Sequence, residues 1–99
     1  MPTGDESLQV IVVDGDLDVA TARDLRDQVA HRSTCGDVVV DLGAVGFTDS
    51  AGLNGLIVAH YDCEGRGIRL TMVNVPIRLR RLLELAGLDS VLHLGGSTR

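Results

Sequence analysis

The chain has no lysine and no tryptophan, and its only aromatic rings besides histidine are Phe47 and Tyr61. Without lysine there is no Gly-Lys-Ser/Thr phosphate loop, so ATP binding by that route is excluded even though Gly43 to Ser50 is glycine-rich and ends in serine. With so few rings, the core must be built from Val, Leu, Ile and Ala. All nine basic residues are arginine, against fourteen acids, for a formal charge of −5. An acidic chain with no basic stripe argues against nucleic-acid binding. Arginine without lysine, beside plentiful Ala, Val and Gly, is a composition expected from a GC-rich bacterial genome. No apolar run approaches the ~20 residues that cross a bilayer, and the polar start with Asp5 and Glu6 is unlike a secretory signal. Cys35 and Cys63 are too few for a disulfide framework and fit a reducing cytosol. A cytoplasmic protein that does not engage a membrane is the expectation.

What is present alternates between strand and helix. Leu8 to Val13 is rich in β-branched residues and reads as a strand. The polar stretch Asp14 to Asp18 reads as a turn. Thr21 and Asp24 have capping-box spacing, with Thr21 as N-cap of a helix to about His31 whose inner face is Ala22, Leu25 and Val29. Val38 to Leu42 reads as a strand covered on both faces, and Gly43 to Thr48 as a loop. From Ser50 the spacing is helical, with Leu53, Leu56, Ile57 and His60 or Tyr61 on one stripe and Gly65 and Gly67 as stops. Ile68, Leu70 and Met72 alternate as in a strand. Pro76 suits the first turn of a third helix with Leu79, Leu82, Leu83 and Ala86 inward, and Val91 to Leu94 reads as a last strand. Such alternation predicts an α/β fold, with helices on a mostly parallel sheet. One domain over residues 1–99 is expected, with its core in 8–94 and flexible ends at 1–7 and 95–99.

Several groupings could carry chemistry. Asp14, Asp16 and Asp18 open like an EF-hand loop, but Val19 stands where glycine is needed and Leu25 where the bidentate Glu belongs. His31 with Cys35 and His60 with Cys63 are metal-capable pairs, but they lie on different predicted helices and lack the usual zinc spacings. No metal site is therefore assigned. Arg78, Arg80 and Arg81 form a small basic cluster that reads as a solvated helix face, or as a contact for an anion or partner. Ser50 follows a strand and a loop and opens a helix. A hydrolase nucleophile elbow needs glycine two residues earlier, where Thr48 stands, so a serine hydrolase is disfavoured and no catalytic residue is assigned. Two roles fit Ser50 on chemistry alone: a helix N-cap and a functional hydroxyl.

Gly15 to Ala22, then Val38 to Leu42, then Phe47-Thr48-Asp49-Ser50-Ala51-Gly52-Leu53, and finally Val75-Pro76-Ile77 through Leu88, resemble the STAS-domain family of bacterial anti-sigma-factor antagonists. The resemblance runs in register over residues 8–94. It implies a single STAS-type domain, a mixed, mostly parallel sheet flanked by about three helices. Relative to the family pattern both termini look trimmed: only about a dozen residues precede Gly15, and no final helix follows the last strand. An exposed sheet edge would then invite a homodimer or a covering partner.

The resemblance also implies a function without catalysis. Ser50 matches the serine that a partner anti-sigma factor, itself an ATP-dependent serine kinase, phosphorylates. The chain needs no cofactor of its own, because ATP is held by the kinase. The unphosphorylated form binds the anti-sigma factor and frees the sigma factor, as in a stress response; phosphorylation releases the partner until a phosphatase restores it. Asp18, Thr48, Asp49, Ser50 and Gly52 match the partner-binding surface, with Asp49 before the acceptor and Asp18 beside it. The competing reading is an accessory subunit of a membrane lipid or anion transporter, which the same domain also resembles.

Overall fold

A computed structural model describes residues 8–95. The chain runs β1 (Gln9–Leu17), α1 (Val19–Arg32), β2 (Val38–Thr48), α2 (Ser50–Gly65), β3 (Leu70–Val73), α3 (Ile77–Leu85) and β4 (His93–Leu94). The four strands form one sheet in the order β1-β2-β3-β4. Every neighbouring pair is parallel, so the described sheet is purely parallel where a mixed one was expected. Each return to the sheet is made by a helix, as parallel pairing requires.

Burial alternates along the strands. Ile11, Val13, Val38, Val40, Leu42, Leu70 and Met72 are buried and join Leu25, Val29, Leu56, Ala59, Leu79 and Leu83 from the helices in one core. Val10 and Val12, on the opposite face of β1, are 52% and 61% exposed, and Val39, Asp41, Thr71 and Val73 are half-buried. The apolar run in β2 is thus covered by helices on one face, not two. Leu82 and Ala86, expected inward on α3, are exposed; Leu79 and Leu83 alone carry its inner face. Leu79 and Leu83 are four residues apart, so the nine-residue helix offers the core a single turn-to-turn stripe.

The largest departure from the sequence reading lies between Asp14 and Leu17 and between Gly43 and Thr48. Both segments are strand. β1 and β2 stay paired to Leu17 opposite Thr48, with register shifts between Val12 and Asp14 and between Gly15 and Leu17. Gly15 takes φ +88° inside this irregular stretch, a conformation open to glycine. Asp16 spans the pair, accepting the Phe47 N–H at 3.0 Å. Asp41 does the same for the bulge in β2, accepting the Gly43 N–H at 2.9 Å and the Asn74 side-chain amide at 3.2 Å. These two bonds hold its carboxyl below the ordinary range.

Helix starts and stops are fixed by specific side chains. α1 begins two residues before the expected N-cap. Asp18 caps it by accepting from the Ala20 and Thr21 N–H groups, both at 3.1 Å, and the Thr21 hydroxyl accepts the Asp18 N–H at 2.8 Å. Thr21 is therefore the return partner of a capping box, with Asp18 as its cap. At the far end, Arg66 Nη1 donates to Ser33 Oγ at 2.6 Å, placing a cation at the α1 C-terminus. Gly95, expected in a flexible tail, donates its N–H to Met72 O at 2.7 Å. The rest of that expectation, for residues 1–7 and 96–99, lies outside the described residues.

The core position Leu56 is 0% exposed, whereas Leu85 is 87% exposed. Leu56→Ala should lower the unfolding free energy by about 2–5 kcal/mol. Leu85→Ala should stay within about 0.5 kcal/mol of the parent. Urea denaturation of the two variants checks this.

Candidate functional site

The N-termini of α1 and α2 meet at one end of the sheet. Leu17 and Thr48 are register partners on adjacent strands, so the next residues, Asp18 and Asp49, open the two helices side by side. Asp49 N–H donates back to Leu17 O at 3.2 Å, which ties the start of α2 to the end of β1.

Two glycines let α2 come this close. A Cβ on Gly52 would stand 2.1 Å from Leu17 O, and one on Gly55 would stand 2.5 Å from Ala22 Cβ. Both contacts are far inside van der Waals range. The first turn of α2 therefore rests on the backbone of β1, and its second turn rests on α1. Gly52, expected among the partner-facing residues, is buried in this contact. Its place is to seat the helix.

The N-cap of α2 is Asp49, whose carboxylate accepts the Gly52 N–H at 2.8 Å. Ser50 is the first helical residue and is exposed. Of the two roles open to it from the sequence, the cap is taken by its neighbour. Asp18 is half-buried, and its carboxyl is held below the ordinary value, first by the Thr21 backbone N–H and then by the Thr21 hydroxyl. It remains an anion through the neutral range. All five expected site residues thus gather at one end of the molecule: Asp18, Thr48, Asp49 and Ser50 are at least partly exposed there, and Gly52 is buried and bonded to Asp49.

A groove of about 300 Å³ adjoins them, lined by Gly46, Phe47 and Thr48 on one side and by Pro76, Leu79 and Leu82 on the other, with Arg78 and Arg81 at its border. Phe47 is 62% exposed. The sequence reading included Phe47 in the motif that leads into Ser50 without giving it a role, and assigned Leu79 and Leu82 to the inner face of α3. The arginine cluster is divided: Arg78 and Arg81 line the groove, and Arg80 does not. The cysteines lie apart in environment. Cys35 is exposed and Cys63 is buried, where burial pushes the Cys63 thiol up, a shift that disfavours the thiolate. Among the described residues no helix is long and apolar enough to cross a membrane.

This arrangement agrees with comparisons to known proteins. A sequence model of the family described as "Mlab, STAS domain" matches residues 3–94. The chain belongs to the STAS-domain family. It is 30% identical over 99 residues to the anti-sigma-B factor antagonist of Staphylococcus aureus (strain NCTC 8325 / PS 47), covering 97% of this chain and 91% of that protein. Its fold is similar to the anti-sigma factor antagonist SpoIIAA in its unphosphorylated form, with a TM-score of 0.71, 17% identity, and coverage of 99% of this chain and 86% of that one. It is also similar to a sulfate transporter family protein from Wolinella succinogenes, with a TM-score of 0.77, 22% identity, and coverage of 87% of this chain and 71% of that one.

Three substitutions separate seating, capping and surface roles. Gly52→Ala should destabilise by about 1–3 kcal/mol or more, since the methyl group meets backbone that cannot rotate away. Asp49→Ala should cost about 1 kcal/mol through the lost cap, and Ser50→Ala should stay within about 0.5 kcal/mol of the parent. Thermal or urea unfolding distinguishes the three. Asp18, with its depressed pKa, contributes stability that is present above the ordinary carboxyl value and lost as pH falls through the folded one. Asp18→Asn should therefore show a smaller loss of stability than the parent as pH is lowered from about 5 to 2, measured by urea midpoints across that range.

Proposed function

We propose that the protein is an anti-sigma-factor antagonist that acts as a partner switch through Ser50. One observation carries this reading: an exposed serine at the first position of a helix, with the cap taken by Asp49 and a second capped carboxylate, Asp18, on the adjacent helix. The similarity to a named anti-sigma-B factor antagonist supports it, as does the likeness to a protein whose description distinguishes an unphosphorylated form. In this reading the unphosphorylated face binds an anti-sigma factor that is also a serine kinase, and the sigma factor is freed. The kinase brings the ATP. A phosphatase reverses the modification, and the cycle runs in the cytoplasm.

The physics of the site fits such a switch. Phosphate adds close to two negative charges. At a helix N-terminus the dipole and the first-turn N–H groups favour that charge, so the fold tolerates it. A bound partner would not. One added charge ~4 Å from an acidic partner group costs roughly 4 kcal/mol at intermediate dielectric, about a thousandfold in affinity. Local repulsion suffices, with no rearrangement of the helix. Phe47 and the adjoining groove offer apolar contact area next to the charged spot, which gives the unphosphorylated complex something to bury.

A second reading, an accessory subunit of a membrane transporter, is supported by the likeness to the Wolinella protein described as of a sulfate transporter family. The two readings part at Ser50. For the switch, Ser50→Ala should keep binding to the anti-sigma kinase while Ser50→Asp loses at least ~100-fold. Incubation with that kinase and ATP, followed by mass mapping, should place one phosphate on Ser50. Equal affinity of the two variants, or phosphate elsewhere, rejects the switch and leaves the accessory role.

A further inference from the structure

The other end of α2 carries a cluster that the Ser50 face does not use. His60 and Glu64 are four residues apart on α2, hence on one helix face, and His93 opens β4. One ring nitrogen of His60, one carboxylate oxygen of Glu64 and one ring nitrogen of His93 all lie within 4.8 Å of one another. His93 Nε2 is 3.0 Å from Glu64 Oε2, and the His60 and His93 ring centres are 5.4 Å apart. His60 is only 3% exposed. Its Nδ1 is the one buried side-chain nitrogen or oxygen among the described residues without a hydrogen-bond partner.

Neither ordinary explanation accounts for all three residues. A surface pair between Glu64 and His93 is worth little and says nothing of His60. Ring packing explains the position of His60 but not a polar atom left unpaired, which native interiors generally avoid. Cys63, the partner that sequence spacing suggested for His60, is buried in the core and is not in the cluster.

We propose that His60, Glu64 and His93 form a site for a late first-row divalent cation, zinc foremost. Two imidazoles and a carboxylate suit zinc and do not suit calcium or magnesium, which take oxygen donors. Bonds of about 2.0–2.2 Å around a tetrahedral ion bring ligand atoms to roughly 3.4 Å from one another. Closing from at most 4.8 Å to that spacing needs only rotation of Glu64 and His93, whose side chains are 47% and 33% exposed. His60, buried and packed, is the fixed anchor. Glu64 and His93 also line a polar cavity of about 360 Å³ together with Asp37 and Arg69, from which water could supply a fourth ligand. The ion would join α2 to β4, a strand of two residues. That makes it a clip on the sheet edge, at the end of α2 away from Ser50 and about 15 Å or more along the helix from it.

Calorimetric titration of chelator-stripped full-length protein with zinc chloride tests the site, together with thermal unfolding and cobalt absorption spectra. The expected results are one zinc per chain, a Tm that rises with zinc, and a four-coordinate cobalt spectrum without a thiolate band. Glu64→Gln and His93→Gln should each weaken zinc binding about tenfold or more and lose the Tm rise, while Cys35→Ser and Ser50→Ala change neither. Glu64→Gln alters an exposed side chain and keeps the fold testable if His93→Gln does not. Absence of zinc binding at submillimolar concentration overturns the proposal. So does unchanged binding in Glu64→Gln, or binding abolished by Cys35→Ser.

Discussion

The close seat of α2 on β1 and α1 is the constraint on which the rest of this molecule depends. Without side chains at Gly52 and Gly55, the helix lies against Leu17 O and Ala22 at distances no other residue type allows. That approach brings Asp49 into hydrogen-bond range of Leu17 and sets two helix N-termini next to each other. It also points α2 so that its opposite end reaches His93 on the last strand. A single rigid helix therefore positions the exposed serine at one end and the histidine cluster at the other. Removing a methyl group's worth of volume at two positions determines both.

Much of the acidity of the chain is committed to backbone donors. Asp18 and Asp49 cap helices, while Asp16 and Asp41 hold irregular stretches of β1 and β2 in register. An ionised carboxylate accepting backbone N–H groups is stronger than a neutral acceptor. In a small core without large aromatics, these bonds fix where elements begin, which apolar packing alone specifies poorly. Two of them, Asp18 and Asp49, also place carboxylates beside Ser50, with Arg78 and Arg81 in the adjoining groove, so a structural device contributes to the electrostatics of the face.

The element order and the inner faces of α1 and α2 were legible because period and glycine stops agree with what packing rewards. The start of α1 was misplaced because Thr21-Asp24 and Asp18-Thr21 have the same spacing, and only the bend at Asp18 distinguishes them. The strand from Asp14 to Leu17 and its partner from Gly43 to Thr48 read as turns because glycine and aspartate dominate there. Their pairing rests on a partner strand about thirty residues away, which no local pattern reports. Within the site, Ser50, Asp49 and Asp18 were visible as chemistry. The burial of Gly52 was not, since it depends on the backbone of Leu17. The groove shared by Phe47 and Leu82 was not legible either, although Phe47 stood in the motif, because it depends on where α3 lies relative to the end of β2. Glu64 and His93 were invisible as a pair because twenty-eight intervening residues separate them in the chain.

The assignment of the cap to Asp49 and of the exposed hydroxyl to Ser50 divides two duties between neighbouring residues. Under the proposed switch, chemistry at the hydroxyl would leave in place the carboxylate that accepts the Gly52 N–H. Such a division would let the state of the face change without removing the group that starts the helix.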